Sequence, residues 1–214
     1  MRNETDKRER RSAAPAPRPF PHSGSPDWRS DAELAGVVLA GGRSRRFGRD
    51  KTGLLFPGRA EDVRGERTLL LHAAGVLERL LGDPARVYIS CRPPEDDGQG
   101  ARIRREAGEH GYGIVEDIFP GDGTLRAVYS ALERTRRSCL VIPCDLPCMD
   151  EATLGELLAF RERNLRTGGK SLCSCFFDTV YGATQPLVAV YEAEALALFR
   201  QAVGAGRYKL AAVL

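Results

Sequence analysis

Between Val37 and Lys51 the chain reads V-V-L-A-G-G-R-S-R-R-F-G-R-D-K, an apolar run that breaks at two glycines into a loop crowded with cationic side chains. Residue types of this kind suit a polyphosphate. Gly41 and Gly42 let backbone approach a ligand with no Cβ in the way, while Arg43, Arg45, Arg46 and Lys51 offer charge-assisted donors to phosphate oxygens. The stretch has neither the G-x-x-x-x-G-K-[ST] of a P-loop nor the G-x-G-x-x-G that opens a dinucleotide-binding helix, so it is a phosphate loop of a third kind. A second motif, C-L-V-I-P-C-D-L-P over Cys139–Pro147, puts the carboxylate of Asp145 at the end of another apolar run. A carboxylate there, facing the phosphate loop, is where a Mg²⁺ bridging to nucleotide phosphates would be held.

Both motifs need strands behind them. Val37–Ala40 predicts a short buried strand, and the near-continuous apolar run from Cys139 predicts one buried on both faces. From Thr68, apolar residues at Leu69, Leu70, Ala73, Val76, Leu77, Leu80 and Leu81 recur at three and four, which predicts a helix closed by Gly82-Asp83-Pro84. His72 on that helix reads as a packing or capping residue. Arg86–Ser90 and Tyr112–Asp117 predict strands, with Cys91-Arg92-Pro93-Pro94 and a polar loop between them. Leu125–Arg134 and Glu151–Asn164 predict helices, Ser171–Phe177 and Leu187–Tyr191 two more strands, and Ala193–Val203 a helix stopped by Gly204. Strand and helix alternate as in an α/β domain, whose mostly parallel sheet gathers ligands at the carboxyl ends of its strands.

Composition narrows the class. A chain of 214 residues, 42% of them hydrophobic, can bury one sizeable core. Residues 1–33, which mix charge with Pro15, Pro17, Pro19, Pro21 and Pro26, predict a disordered extension to a domain at 34–214. No apolar run is long enough for a membrane span, and the start lacks a secretory signal, so a cytoplasmic protein is expected. The net charge of +3 comes from 32 basic and 29 acidic residues interspersed along the chain, which argues against nucleic acid as a partner. The six cysteines fit free thiols in a reducing compartment. Cys144, Cys148, Cys173 and Cys175 would make a four-thiolate metal site only if they met in space.

The loop L-A-G-G-R-S-R-R-F-G-R-D-K resembles the L-A-G-G-x-x-x-R-M-G-x-D-K signature of the molybdenum cofactor guanylyltransferases, with Phe47 in place of a methionine. P-C-D-L-P around Asp145 resembles the P-C-D-x-P of the same family, whose aspartate binds the metal. Thr184-Gln185-Pro186-Leu187 is similar to the segment bordering the family's pterin site, and Gly206–Leu210 to the G-x-x-x-L that opens its next helix. Ala60–Glu66 looks like a local insertion. The family usually continues beyond the point where this chain stops at Leu214, an end expected to weaken a sheet edge or the substrate side of the cleft.

The resemblance implies a single Rossmann-like three-layer domain of nucleotidyltransferase type. The reaction it implies transfers GMP from GTP to the phosphate of the molybdenum–molybdopterin cofactor, with Mg²⁺ as metal and molybdoenzymes or their chaperones as recipients. Lys51, Arg46 and Asp145 take the catalytic positions, with Asp145 the metal ligand. Leu39, Ala40, Gly41, Lys51, Cys91, Asp117 and Asp145 take the nucleotide side. Two departures bear on substrate choice: Cys91 stands where the family has an asparagine, and Gly123-Thr124-Leu125-Arg126-Ala127 stands for G-P-L-x-G. A cytidylyl- or sugar-phosphate nucleotidyltransferase of the same fold, or a nucleotide-binding homologue without turnover, are the other readings open at this point.

Overall fold

Along the chain come β1 (Leu34–Leu39), β2 (Leu55–Phe56), β3 (Arg67–Thr68), α1 (Leu69–Leu81), β4 (Val87–Cys91), α2 (Gln99–Glu109), β5 (Gly113–Glu116), α3 (Thr124–Thr135), β6 (Ser138–Pro143), α4 (Glu151–Arg166), β7 (Cys173–Asp178), β8 (Ala183–Tyr191) and α5 (Ala195–Gly204). The computed structural model describes residues 31, 33–42, 50–56, 67–93, 98–119, 123–210 and 213. The proline-rich extension before Asp31, Arg46 with its neighbours, and the expected insertion at Ala60–Glu66 lie outside these residues.

The main sheet has six strands in the order β5-β4-β1-β6-β8-β7. The first four run parallel, β8 is antiparallel to β6, and β7 is antiparallel to β8. Side chains of β1 alternate between two cores. Leu34 and Val38 pack with α1, α2 and α4, while Ala35 and Val37 pack with α3 and α5, which makes three layers. Gly36 lets α1 sit close on β1, because a Cβ there would come within 2.9 Å of Leu81 Cδ1. Thr68 caps α1 by accepting the Leu71 N–H, and Gly82 ends it in the left-handed conformation at φ 76°.

From β1 the chain moves outward to β4 and β5 and then returns across the sheet to β6 on the other side of β1. That reversal opens a crevice at the carboxyl ends of β1 and β6. The opposite end of the sheet is closed by polar groups. Arg161 is held bidentately by Glu192 at 2.7 and 2.8 Å and also reaches Asp31 at 3.0 Å, while Ser138 Oγ donates to Glu192. These contacts pair charges that would otherwise be costly to bury.

Two expectations are corrected, and the free-thiol reading of the cysteines holds. Residues 99–109, expected within a polar loop, form α2, whose buried residues are Ile103, Ala107 and Glu106. So short an apolar stripe falls below what periodicity reveals, and Glu106 is buried because Arg102 and Thr68 pair it. Thr184–Leu187, expected between two strands, belongs to β8, which extends past its pairing with β6. All six cysteines are free; Cys144 packs on the α1/α4 side of the sheet and Cys173 and Cys175 on the α3/α5 side, so the four-thiolate site does not form. Among the described residues no helix is long and apolar enough to cross a membrane.

Candidate functional site

The ends of β1 and β6 are pinned together by a hydrogen bond from the Cys144 N–H to the Leu39 carbonyl at 3.3 Å. The next residue, Asp145, is thereby set beside Lys51. Its Oδ2 accepts from Lys51 Nζ at 3.1 Å. The two strongest sequence motifs therefore converge on one cation–carboxylate pair at the mouth of the crevice. Both side chains stay partly open to solvent, so a ligand can reach them. No cluster of three or more His, Cys, Asp or Glu exists among the described residues. Mg²⁺ does not require one, because it binds through one or two carboxylates and completes its shell with water and substrate phosphate oxygens. The accessible carboxylate of Asp145 fits that donor set.

Lys51 is held in place through its neighbour. Asp50 accepts from the Thr52 N–H at 2.9 Å, from Thr52 Oγ1 at 2.6 Å, from Gln99 Nε2 at 2.8 Å and from Arg102 Nη2 at 2.6 Å. Burial alone would raise its pKa, but the Thr52 and Arg102 hydrogen bonds outweigh that and hold it below the usual carboxylate value. Arg102 also pairs with Glu106 at 2.6 Å, one turn along α2, and Glu106 accepts from Thr68, the cap of α1. The phosphate loop is thus tied to α2 and α1 by a charged network. Arg102 and Gln99 were missed by sequence reasoning because their helix was missed; the Arg102/Glu106 spacing of four was the available signal.

Beside this pair lies a pocket lined by Ala40, Gly41, Cys91, Arg92, Pro93, Gln99, Gly100 and Ile103. Gly41 forms its wall: a Cβ there would sit 3.7 Å from Arg92 and 3.8 Å from Asp117 Oδ2. Arg92 Nε donates to the Gly41 carbonyl at 2.7 Å, and Arg104 supports Arg92 by donating to its carbonyl at 3.0 Å. Of the backbone expected to face a nucleotide, the Ala40 N–H is committed to Ser90 at 2.8 Å and the Leu39 carbonyl to Cys144. The Cys91 thiol is buried, which pushes its pKa up to about 11 and keeps it protonated at neutral pH.

Asp117 follows β5 and stands near Gly41. Its N–H donates to the Cys91 carbonyl at 3.1 Å, and the following Ile118 N–H donates to Ser130 Oγ on α3 at 2.9 Å. Burial pushes its carboxyl up to about 6, against the pull of Arg92 and Arg126. Oδ1 is shielded from solvent and has no hydrogen-bond partner among the described residues. An acceptor in that state is poised for a donor supplied by a ligand. His72, by contrast, is buried with its ring 4.5 Å from that of Phe56, in keeping with a packing role.

Leu39, Ala40, Gly41, Lys51, Cys91, Asp117 and Asp145 all lie along the carboxyl ends of β1, β4, β5 and β6. A parallel sheet with a switch point, where Gly41 follows the first strand and Lys51 meets a strand-end carboxylate, defines a Rossmann-like fold of the nucleotidyltransferase type. Residues 36–214 match the MobA-like NTP transferase domain, and the chain belongs to that family. It is 32% identical over 178 residues to a probable molybdenum cofactor guanylyltransferase of Chloroflexus aggregans, covering 83% of this chain and 74% of that one. It is 36% identical over 116 residues to a probable molybdenum cofactor guanylyltransferase of Pelotomaculum thermopropionicum, a match that takes in 54% of this chain and 46% of that one. The fold is shared with the molybdopterin-guanine dinucleotide biosynthesis protein A of Archaeoglobus fulgidus, with a TM-score of 0.58, 21% identity, and coverage of 84% of this chain and 77% of that one.

Proposed function

We propose that this protein transfers GMP from GTP to the phosphate of the molybdenum–molybdopterin cofactor. An oxygen of the acceptor phosphate forms the new bond to the α-phosphorus, the bond to the β-phosphate bridge breaks, and pyrophosphate leaves. The acceptor oxygen is already anionic, so the reaction needs no general base. What it needs is positioning and relief of charge around the α-phosphate.

The single observation that carries this reading is the Lys51–Asp145 pair at 3.1 Å in the switch-point crevice. Lys51, with Arg46 from the same loop, would stabilise charge on the α-phosphate and on the departing pyrophosphate. Asp145 would hold Mg²⁺, which when bound would supply a further positive charge to offset that of the phosphates. Leu39, Ala40, Gly41 and Cys91 would border the nucleotide, and Asp117 would accept hydrogen bonds from its base. The names of the relatives from Chloroflexus aggregans and Pelotomaculum thermopropionicum support the choice of GTP and of a molybdenum cofactor. Molybdoenzymes or their chaperones would receive the product.

The test is pyrophosphate release on mixing the protein with Mg²⁺, molybdenum–molybdopterin and GTP, with CTP, ATP and UTP in parallel. Release with GTP above the other three is the expected result. Faster release with CTP would replace guanylyl by cytidylyl transfer, and binding of GTP without release would leave a nucleotide-binding protein.

A further inference from the structure

Arg126 is the third residue of α3, and it is buried. Its Nε and Nη1 atoms are shielded from solvent and have no hydrogen-bond partner among the described residues. A guanidinium carries five N–H donors in one plane. Its Cζ stacks 3.9 Å above the centre of the Tyr208 ring, which satisfies the face of that plane and leaves the in-plane donors of Nε and Nη1 unused. Tyr208 is in turn fixed against the start of α3, since a Cβ on Gly123 would come within 2.9 Å of its carbonyl oxygen. Buried donors are overwhelmingly paired in folded proteins, so a buried arginine with open donors points to a missing partner.

The second unpaired buried group nearby is Asp117 Oδ1. Ser130, four residues after Arg126 and on the same face of α3, accepts the N–H of Ile118 next to Asp117 at 2.9 Å. Arg126 stands one turn nearer the start of the helix, on the face of α3 that meets the segment following β5. Its charge and that of Arg92 are the two cations that act on the Asp117 carboxylate. The site therefore offers a planar donor next to an acceptor, both withdrawn from water. A simple anion would be opposed by Asp117, and a simple cation by Arg126. A heterocycle with a carbonyl beside a ring N–H and an amino group suits both. Guanine has that edge, whereas adenine and cytosine set an acceptor next to their amino group, which a carboxylate repels.

We propose that Arg126 is a specificity-determining residue that donates to the carbonyl oxygen of a 2-amino-oxo heterocycle while Asp117 accepts from its ring N–H and amino group. The assignment rests on the guanylyl-transfer reading and deepens it, because Arg126 then supplies the base contact that Cys91 cannot make. The same edge is carried by guanine in the nucleotide and by the pterin of the acceptor. The experiment separates these two sources.

Calorimetric titrations with Mg²⁺ at neutral pH compare the wild type with Arg126→Met and Arg126→Lys. The probes are GTP, ITP, 2-aminopurine riboside triphosphate and 6-hydroxymethylpterin. ITP keeps the carbonyl and lacks the amino group; the 2-aminopurine nucleotide keeps the amino group and lacks the carbonyl. Arg126→Met is expected to weaken GTP and ITP by about 10- to 100-fold and to leave the 2-aminopurine nucleotide unchanged. If that variant does not fold, Arg126→Lys carries the same comparison, since a point charge cannot reproduce a stacked planar fork. Selective loss confined to the pterin would keep the edge and assign it to the acceptor. Equal loss with all three triphosphates, or none, would overturn the assignment of Arg126 while leaving guanylyl transfer standing. A wild type that binds neither GTP nor the pterin would overturn both.

Discussion

Lys51 and Asp145 meet through a 3.1 Å contact between Nζ and Oδ2 although 94 residues separate them in the chain. Their side chains keep 36% and 43% of their surface exposed, and a pair so exposed contributes at most about 1 kcal/mol to stability. Its value lies in the charge it presents to the crevice. Asp145→Ala is expected to lower Mg²⁺-dependent turnover by at least about 100-fold while the melting temperature stays within about 2 °C. Pyrophosphate release and a thermal melt measure the two. Turnover within a few fold of the wild type would mean that another residue holds the metal.

Lys51→Ala separates binding from rate. A charge that acts mainly as the α-phosphate reacts should reduce kcat by about 100-fold and change the GTP Kd far less. Single-turnover kinetics beside calorimetric GTP binding resolve the two effects. A loss confined to Kd would move Lys51 from the transition state to ground-state affinity.

Arg102 holds this lysine in place without facing the crevice itself. It bonds Asp50 at 2.6 Å and Glu106 at 2.6 Å, so Arg102→Ala leaves two partly buried carboxylates short of a partner. A stability loss of about 1–3 kcal/mol is expected, together with a fall in kcat that exceeds any rise in KM. Arg102→Lys should recover part of the stability and less of the rate, because one ammonium cannot serve both carboxylates in fixed geometry. Urea unfolding and steady-state kinetics on both variants test this, and an unchanged kcat in Arg102→Ala would detach the network from catalysis.

Much of this site was legible in the residues and much was not, for physical reasons. β6 announced itself because Cys139–Ile142 is buried on both faces and carries no polar interruption. α1 was legible from its apolar spacing and from Gly82, which closes it. The residue types at Lys51 and Asp145 raised the expectation of phosphate and metal chemistry, but their meeting is a product of the strand order β4-β1-β6. α2 escaped because its buried face is one isoleucine, one alanine and an ion-paired glutamate, so Arg102 escaped with it. Arg126 stood inside a motif that departs from its family, yet its open donors come from packing against Tyr208, 82 residues later, which no local pattern encodes.

Asp117 should make pH act in opposite directions on stability and on binding. Its carboxyl is pushed up to about 6 by burial, from an ordinary value of 3.8. The protonated form is favoured in the folded chain, so that contribution to stability is complete below the ordinary value and is lost as pH rises through about 6. A carboxylate that accepts two donors from a base must, however, be ionised. GTP affinity is therefore expected to fall as pH drops below about 6, where Asp117 holds a proton. Asp117→Asn should remove the stability slope between pH 4 and 6, a window set by those two values, and should bind GTP poorly at every pH. Denaturant midpoints and calorimetric titrations across this range check both halves. An undiminished slope in Asp117→Asn would assign it to another group.

Gly41 decides how much room the base has. A Cβ built there meets Arg92 at 3.7 Å and Asp117 Oδ2 at 3.8 Å, which is ordinary van der Waals contact, so the protein itself accommodates the methyl. Gly41→Ala should fold with an unchanged melting temperature, and the added group should occupy pocket space that a ligand would otherwise fill. A two-ring purine loses more from such an intrusion than a one-ring pyrimidine, so exclusion falls on GTP before CTP. One methyl in a binding pocket shifts discrimination by about 1–3 kcal/mol, or roughly 10- to 200-fold. The GTP-to-CTP ratio of kcat/KM is therefore expected to drop by about that factor in Gly41→Ala, mostly through a weaker reaction with GTP. Steady-state kinetics with both nucleotides on wild type and variant measure it. An unchanged ratio in a folded variant would show that the base lies away from Gly41.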